Sequence, residues 1–90
     1  MKKGINTLEE ILIKNQWADA IISISHKLYG LQKIKCRLDC ILDDQRIGFK
    51  VKDENEIYIY RGDLVDYGIK DGIYFADDIM EINIKLNRAV

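Results

Sequence analysis

The 90-residue chain has no proline, two cysteines, one histidine and six glycines. Each shortage excludes something. Two cysteines cannot form the disulfide framework of a small secreted domain, so a cytoplasmic protein with free thiols is expected. One histidine leaves any imidazole acid–base chemistry to His26 alone. Long apolar runs are missing too: the richest stretch, Ala20 to Ile24, is broken by Ser23 and followed by Ser25 and His26. That falls far short of the roughly 20 residues a membrane helix needs. Met1-Lys2-Lys3-Gly4 carries charge but has no apolar core or small-residue cleavage site behind it, so no secretory leader is expected. The net charge of −1 argues against indiscriminate binding to DNA, which needs a broadly basic surface. What remains is 48% apolar and 32% charged, ordinary for a globular fold and too apolar for disorder. The length suits one domain spanning residues 1–90.

The near-zero total conceals an asymmetry. Lys27, Lys33, Lys35 and Arg37 give residues 27–37 a charge of +4 with no acid among them. Residues 53–81 hold Asp53, Glu54, Glu56, Asp63, Asp66, Asp71, Asp77, Asp78 and Glu81 against Arg61 and Lys70, a charge of −7. A basic junction and an acidic half share one small domain, and blocks of one sign mark a solvated surface, self-association or a partner site.

Thr7-Leu8-Glu9-Glu10 fits a capping box. Leu8, Ile11, Leu12, Ala18, Ile21, Ile22, Ser25 and Tyr29 then recur near helical spacing up to Gly30, a natural stop. The expectation is a helix over 7–29 with room for a bend near Asn15-Gln16. Ala20 to Ser25, where β-branched residues alternate with serine, also suits a strand. Beyond Gly30 the period changes to two. Ile34, Cys36, Leu38, Cys40 and Leu42 alternate with Lys35, Arg37, Asp39 and Asp43, and further short strands lie near Ile47–Val51, Ile57–Tyr60, Leu64–Ile69, Ile73–Ala76 and Met80–Leu86. Asp71-Gly72 supplies a tight turn. The fold class expected is α+β: an N-terminal helix, then an antiparallel meander of five or six strands over 33–86, curled into a small barrel.

Helix followed by short strands, with Gly48 in the second strand, resembles the SH3-like and Sm-like small barrels over residues 34–86. The Sm-like resemblance implies a bent five-stranded sheet that binds RNA as a ring. Where bacterial members of that family carry Tyr-Lys-His before the last strand, this chain has Tyr74-Phe75-Ala76.

No nucleophile elbow, phosphate-binding glycine loop or dinucleotide fingerprint is present, and both cysteines fall on the apolar face of their strand, so no enzyme activity and no cofactor is expected. Cys36 and Cys40 would lie about 13 Å apart along a strand, too far to share a zinc ion. Asp77, Asp78 and Glu81 match no cation-binding loop, so no metal is expected. Two binding readings remain. In the first, Tyr58, Tyr60, Tyr67 and Tyr74, interleaved with Asp63, Asp66, Asp77 and Asp78, form an acidic, tyrosine-rich sheet surface. That surface would bind a basic protein stoichiometrically, for example by masking a groove that receives nucleic acid. A small inhibitor or regulator carried by a phage or other mobile element has this size and charge pattern. The competing arrangement covers Tyr58 and Tyr60 with the helix as a second core layer. In the second reading Lys27, Tyr29, Lys33, Lys35 and Arg37 hold RNA at the helix–sheet junction of an oligomer. Ile82–Leu86 would form an edge strand open to a second copy, so a dimer or higher homo-oligomer accords with either reading.

Overall fold

A computed structural model describes residues 4–51, 55–69 and 72–86. Helix α1 spans Gly4–Lys14 and is followed by eight strands: β1 Asp19–His26, β2 Gly30–Arg37, β3 Asp39–Leu42, β4 Arg46–Lys50, β5 Glu56–Tyr60, β6 Asp66–Ile69, β7 Ile73–Ala76 and β8 Met80–Leu86. The α+β class holds. The strands form two antiparallel sheets, one of five in the order β2-β1-β8-β7-β6 and one of three in the order β3-β4-β5. No closed barrel is found among the described residues.

The expected helix over 7–29 is right only in its first third. α1 stops at Lys14, and Thr7–Glu10 lies inside it rather than at its start. Asn15 and Gln16 close the last turn on the carbonyls of Ile11, Leu12 and Ile13, and Trp17 then adopts a left-handed φ of 70°, which ends any helix. Past that corner the alternation of isoleucine and serine wins. Ala20, Ile22 and Ile24 turn inward and are buried, while Ser23 and Ser25 turn outward. Consecutive β-branched residues lose side-chain freedom in a helix and serine competes there for backbone bonds, so extended chain is the cheaper solution. Gly30, with φ of 81°, closes the three-residue turn between β1 and β2 instead of capping a helix.

The expected strand through Ile34–Leu42 is divided. Leu38, fully buried, donates its N–H to Ala18 O (2.8 Å) and accepts from Trp17 N (2.6 Å), and there the chain leaves the large sheet for the small one. Ile82–Leu86, expected at an edge, lies in β8 at the centre of the large sheet, paired with β1 and with β7. The hairpin of β6 and β7 forms as expected, with Gly72 in its turn; Asp71, like Asp53 and Glu54 of the earlier turn, lies outside the described residues.

One apolar cluster joins all parts. Leu8 and Leu12, four residues apart on α1, meet Ile22, Ile24, Leu38, Ile47, Phe49, Ile59, Ile73, Phe75, Ile82 and Ile84. Gln16 fixes the helix to the small sheet: its Oε1 accepts the Cys40 N–H at 2.9 Å and its Nε2 donates to Asp39 at 3.2 Å. At Gly48 in β4 an added Cβ would lie 2.5 Å from Tyr58 Cα and 2.6 Å from Tyr58 Cβ, so only glycine permits this approach of β5.

Candidate functional site

The helix does not cover Tyr58 and Tyr60. On β5, Ile57 and Ile59 turn towards the core, and the two tyrosines project from the opposite face of the small sheet. Their rings meet edge to face at 5.2 Å, with hydroxyls 3.3 Å apart. The Arg46 guanidinium lies 5.0 Å from the Tyr58 ring and pairs with Asp43 (2.8 Å) and Glu56 (2.9 Å). The bond to Arg46, helped by the backbone N–H groups of Gln45 and Arg46, holds the Asp43 carboxyl below its ordinary range. The contact with Tyr58 pushes the Tyr60 phenol up, and the carboxylate of Asp63, exposed in the short turn directly after β5, adds to that shift. Behind this face Arg61 pairs with Glu9 of α1 and donates to Asp43 O at 2.8 Å. Tyr60 is 49% exposed and Tyr58 is half-buried by its neighbours.

The remaining acidic and tyrosine candidates are dispersed. Tyr67 turns inward from β6, opposite Phe75, and packs on the core. Tyr74 projects from the outer face of the large sheet, where its hydroxyl reaches Asp66 at 3.5 Å; partial burial and that carboxylate push the phenol up. Asp77 shapes the turn between β7 and β8 by accepting the N–H groups of Ile79 (2.9 Å) and Met80 (2.7 Å), with exposed Asp78 beside it. Of the eight residues expected on one acidic surface, the structure thus gathers Tyr58, Tyr60 and Asp63. It sets Tyr74 with Asp66 on another sheet, leaves Asp77 and Asp78 at a turn and turns half-buried Tyr67 against the core.

The basic candidates are better grouped. Lys33, Lys35 and Arg37 alternate along β2 and are all exposed on one face of the large sheet. Lys27 and Tyr29 belong to the turn before it. There the Tyr29 ring lies 4.5 Å from His26, and His26 Nδ1 accepts the N–H groups of Leu28 (3.0 Å) and Tyr29 (3.3 Å). His26 therefore shapes the turn. Leu28, Tyr29 and Leu31 are 79%, 84% and 67% exposed, so this end of the molecule presents apolar side chains beside its cations, a feature no charge count reveals. Trp17, 59% exposed at the α1–β1 corner, was equally silent in the sequence.

The thiols are poor nucleophiles. Burial, then the neighbouring Asp39 carboxylate, pushes Cys40 up to about 11, and its Sγ lies 3.4 Å from Leu12 O; burial also pushes Cys36 up. Among the described residues no group of three or more His, Cys, Asp or Glu side chains is placed to hold a metal ion. No helix among them is long and apolar enough to cross a membrane. Compared with protein-family models, curated proteins and solved structures, the chain matches none.

Proposed function

We propose that this chain is a non-enzymatic binding protein that acts by stoichiometric contact with another protein, and that the outer face of the small sheet anchors the contact. The observation behind this reading is the outward Tyr58–Tyr60 pair, held by Arg46 and bordered by Asp63. Aromatic side chains already fixed in one geometry lose little entropy on binding, which is what makes tyrosine an effective interface anchor. Asp63, together with exposed Asp44 in the nearby β3–β4 turn, favours a partner with a basic surface. Occlusion of a groove that otherwise receives nucleic acid is the mode of action this chemistry suits.

The ring-forming, Sm-like RNA binder is the weaker reading. The cations of β2 do share a face, but Tyr29 rests on His26 in the turn, and Ser23 and Asn83 stand between Lys33 and Tyr74, which lies three strands away on the same face and reaches Asp66.

Quantitative affinity capture from cell extract tests the proposal with three baits: the natural chain, Tyr60→Ala with Asp63→Lys, and Lys33→Glu with Lys35→Glu. A partner set held by the first and third baits and lost from the second is expected. Equal retention on all three folded baits removes the small-sheet face as the anchor.

A further inference from the structure

β2 is an edge strand eight residues long, and which of its backbone groups are unpaired follows from the ladder. Leu38 N–H donates to Ala18 O in register with the β1–β2 pairing, so Cys36, Ile34 and Gln32 are the residues whose backbone groups face β1. On β1, Lys27 N–H donates to Ile79 O in register with β8, so its odd-numbered residues serve β8 and its even-numbered ones serve β2, in agreement. The N–H and C=O groups of Leu31, Lys33, Lys35 and Arg37 therefore point to the open edge. Residues two apart carry their side chains on one face, so the open edge bears one exposed apolar and three cationic side chains on the outer side of the sheet. None of the three cations has an ion pair among the described residues.

The inner side of the same edge is apolar at Ile34 and Cys36 and ends on exposed Gln32. Ile34 and Cys36 are half-buried against the core. At Gln32 a cavity of about 210 Å³ opens between β2 and the small sheet, lined by Gln32 and His26 as well as by Ile24, Ile57, Met80, Tyr29 and Gly30. An occupant must therefore offer backbone groups along its length, negative charge on one side and apolar side chains on the other.

The geometry points to β2 as a site that captures an extended acidic peptide as an added antiparallel strand, with Asp or Glu alternating with aliphatic residues. Paired opposite Lys33, Lys35 and Arg37, the acids lie about 5.5 Å from them between Cα atoms, on the same face. The intervening aliphatic residues cover Ile34 and Cys36, and the one opposite Gln32 enters the cavity. A second copy of β2 is a poor occupant: antiparallel pairing centred on Ile34 sets Lys33 of one copy against Lys35 of the other, and like charges directly opposite repel. RNA answers the three cations but leaves the carbonyls and the apolar underside unpaired. This site differs from the small-sheet face and takes a partner of opposite charge, so either can fail without the other.

The test uses the full chain and the blocked peptide Glu-Ile-Glu-Val-Glu-Ile-Leu, with amide NMR and calorimetry. Shifts confined to Leu31, Lys33, Lys35, Arg37 and their neighbours are expected. Methylating the three glutamate nitrogens, which face β2, should abolish binding, and methylating the intervening nitrogens should leave it within about twofold. Lys33→Glu with Lys35→Glu should weaken the peptide at least about tenfold and accept the analogue with lysines in place of the glutamates. The inference is overturned if the scrambled peptide Glu-Glu-Ile-Ile-Val-Glu-Leu binds equally or if methylation has no effect. Oligouridylate shifting the same amides while the peptide fails, or a dimer that already occupies this edge, overturns it as well.

Discussion

The outer face of the small sheet and the open edge of the large one hold their charge in opposite ways. Around the tyrosine pair of the small sheet both arginines are answered from within, Arg46 by Asp43, Glu56 and the Tyr58 ring, and Arg61 just after β5 by Glu9, while exposed Lys50 at the end of β4 has no ion pair among the described residues. On β2 the three cations stand in a row without an ion pair among the described residues, and the backbone beside them is open. Internal pairing gives the first surface a fixed shape, so a partner meets a finished template. The second surface is unfinished and gains its remaining bonds only from an occupant. Side-chain truncation should damage the first mode of binding, and backbone blockage the second.

The sharpest way to break the comparison is Gly48→Ala. The methyl group would overlap Tyr58 backbone, which cannot retreat without breaking the β4–β5 ladder, so a loss of about 3 kcal/mol or more is expected in urea unfolding. Amides of β1, β2 and β8 should retain more hydrogen-exchange protection than those of β5. Uniform loss of protection would show that the two sheets open as one unit.

The cysteines sharpen the contrast at smaller amplitude. Cys40 is the more deeply placed, with its thiol pushed up to about 11, whereas Cys36 sits beneath the open edge. At pH 8.5 iodoacetamide should label Cys36 at least about tenfold faster, as read by mass spectrometry. Equal labelling would mean that the small sheet opens as readily as the edge. Next comes Lys33→Glu with Lys35→Glu, which should shift folding stability by no more than about 0.5 kcal/mol, because neither side chain is buried or ion-paired. A larger loss would assign these lysines a structural role.

Much of this division was legible in the sequence, and the failures have identifiable causes. Alternation correctly turned Ile34, Cys36, Cys40, Leu42, Ile47, Phe49, Ile57 and Ile59 towards the core, but it gave no sign that Ile41, on the other face of β3, is buried as well. It could not show the break at Leu38, because Ile34, Cys36, Leu38, Cys40 and Leu42 keep the same period as the chain passes from one sheet to the other. Residues 15–29 failed for a different reason. Ala18, Ile21, Ile22 and Ser25 satisfy a helical spacing by coincidence, while the left-handed Trp17 that ends the helix has no compositional signal. The acidic surface was inferred from neighbours in sequence, and sheet pairing separates them: Tyr60 and Asp66 lie on different sheets although six residues apart. The basic row survived because it occupies a single strand, where sequence spacing and spatial spacing coincide.

The smallest expected effect tests whether the small-sheet face is held by its own charges. Arg46 keeps the Asp43 carboxyl below its ordinary value of 3.8. A carboxyl depressed in the folded state contributes stability that is fully present above its unfolded pKa and is lost as pH falls through the folded one. In the natural chain the urea midpoint should therefore fall below about pH 4, and Arg46→Gln should flatten the part of that fall due to Asp43. Both groups are exposed, so solvent screens the interaction and the difference between the two curves will be small. Carboxyl NMR gives the direct reading: the Asp43 midpoint should lie below 3.8 in the natural chain and move up in the variant. The aromatic resonances of Tyr58 and Tyr60 should broaden in the variant as the ring pair loses its support. If the carboxyl midpoint moves and the rings stay sharp, their mutual contact fixes them without the arginine. Ring preorganisation then belongs to the tyrosine pair, and the ion pairs around it act only on charge.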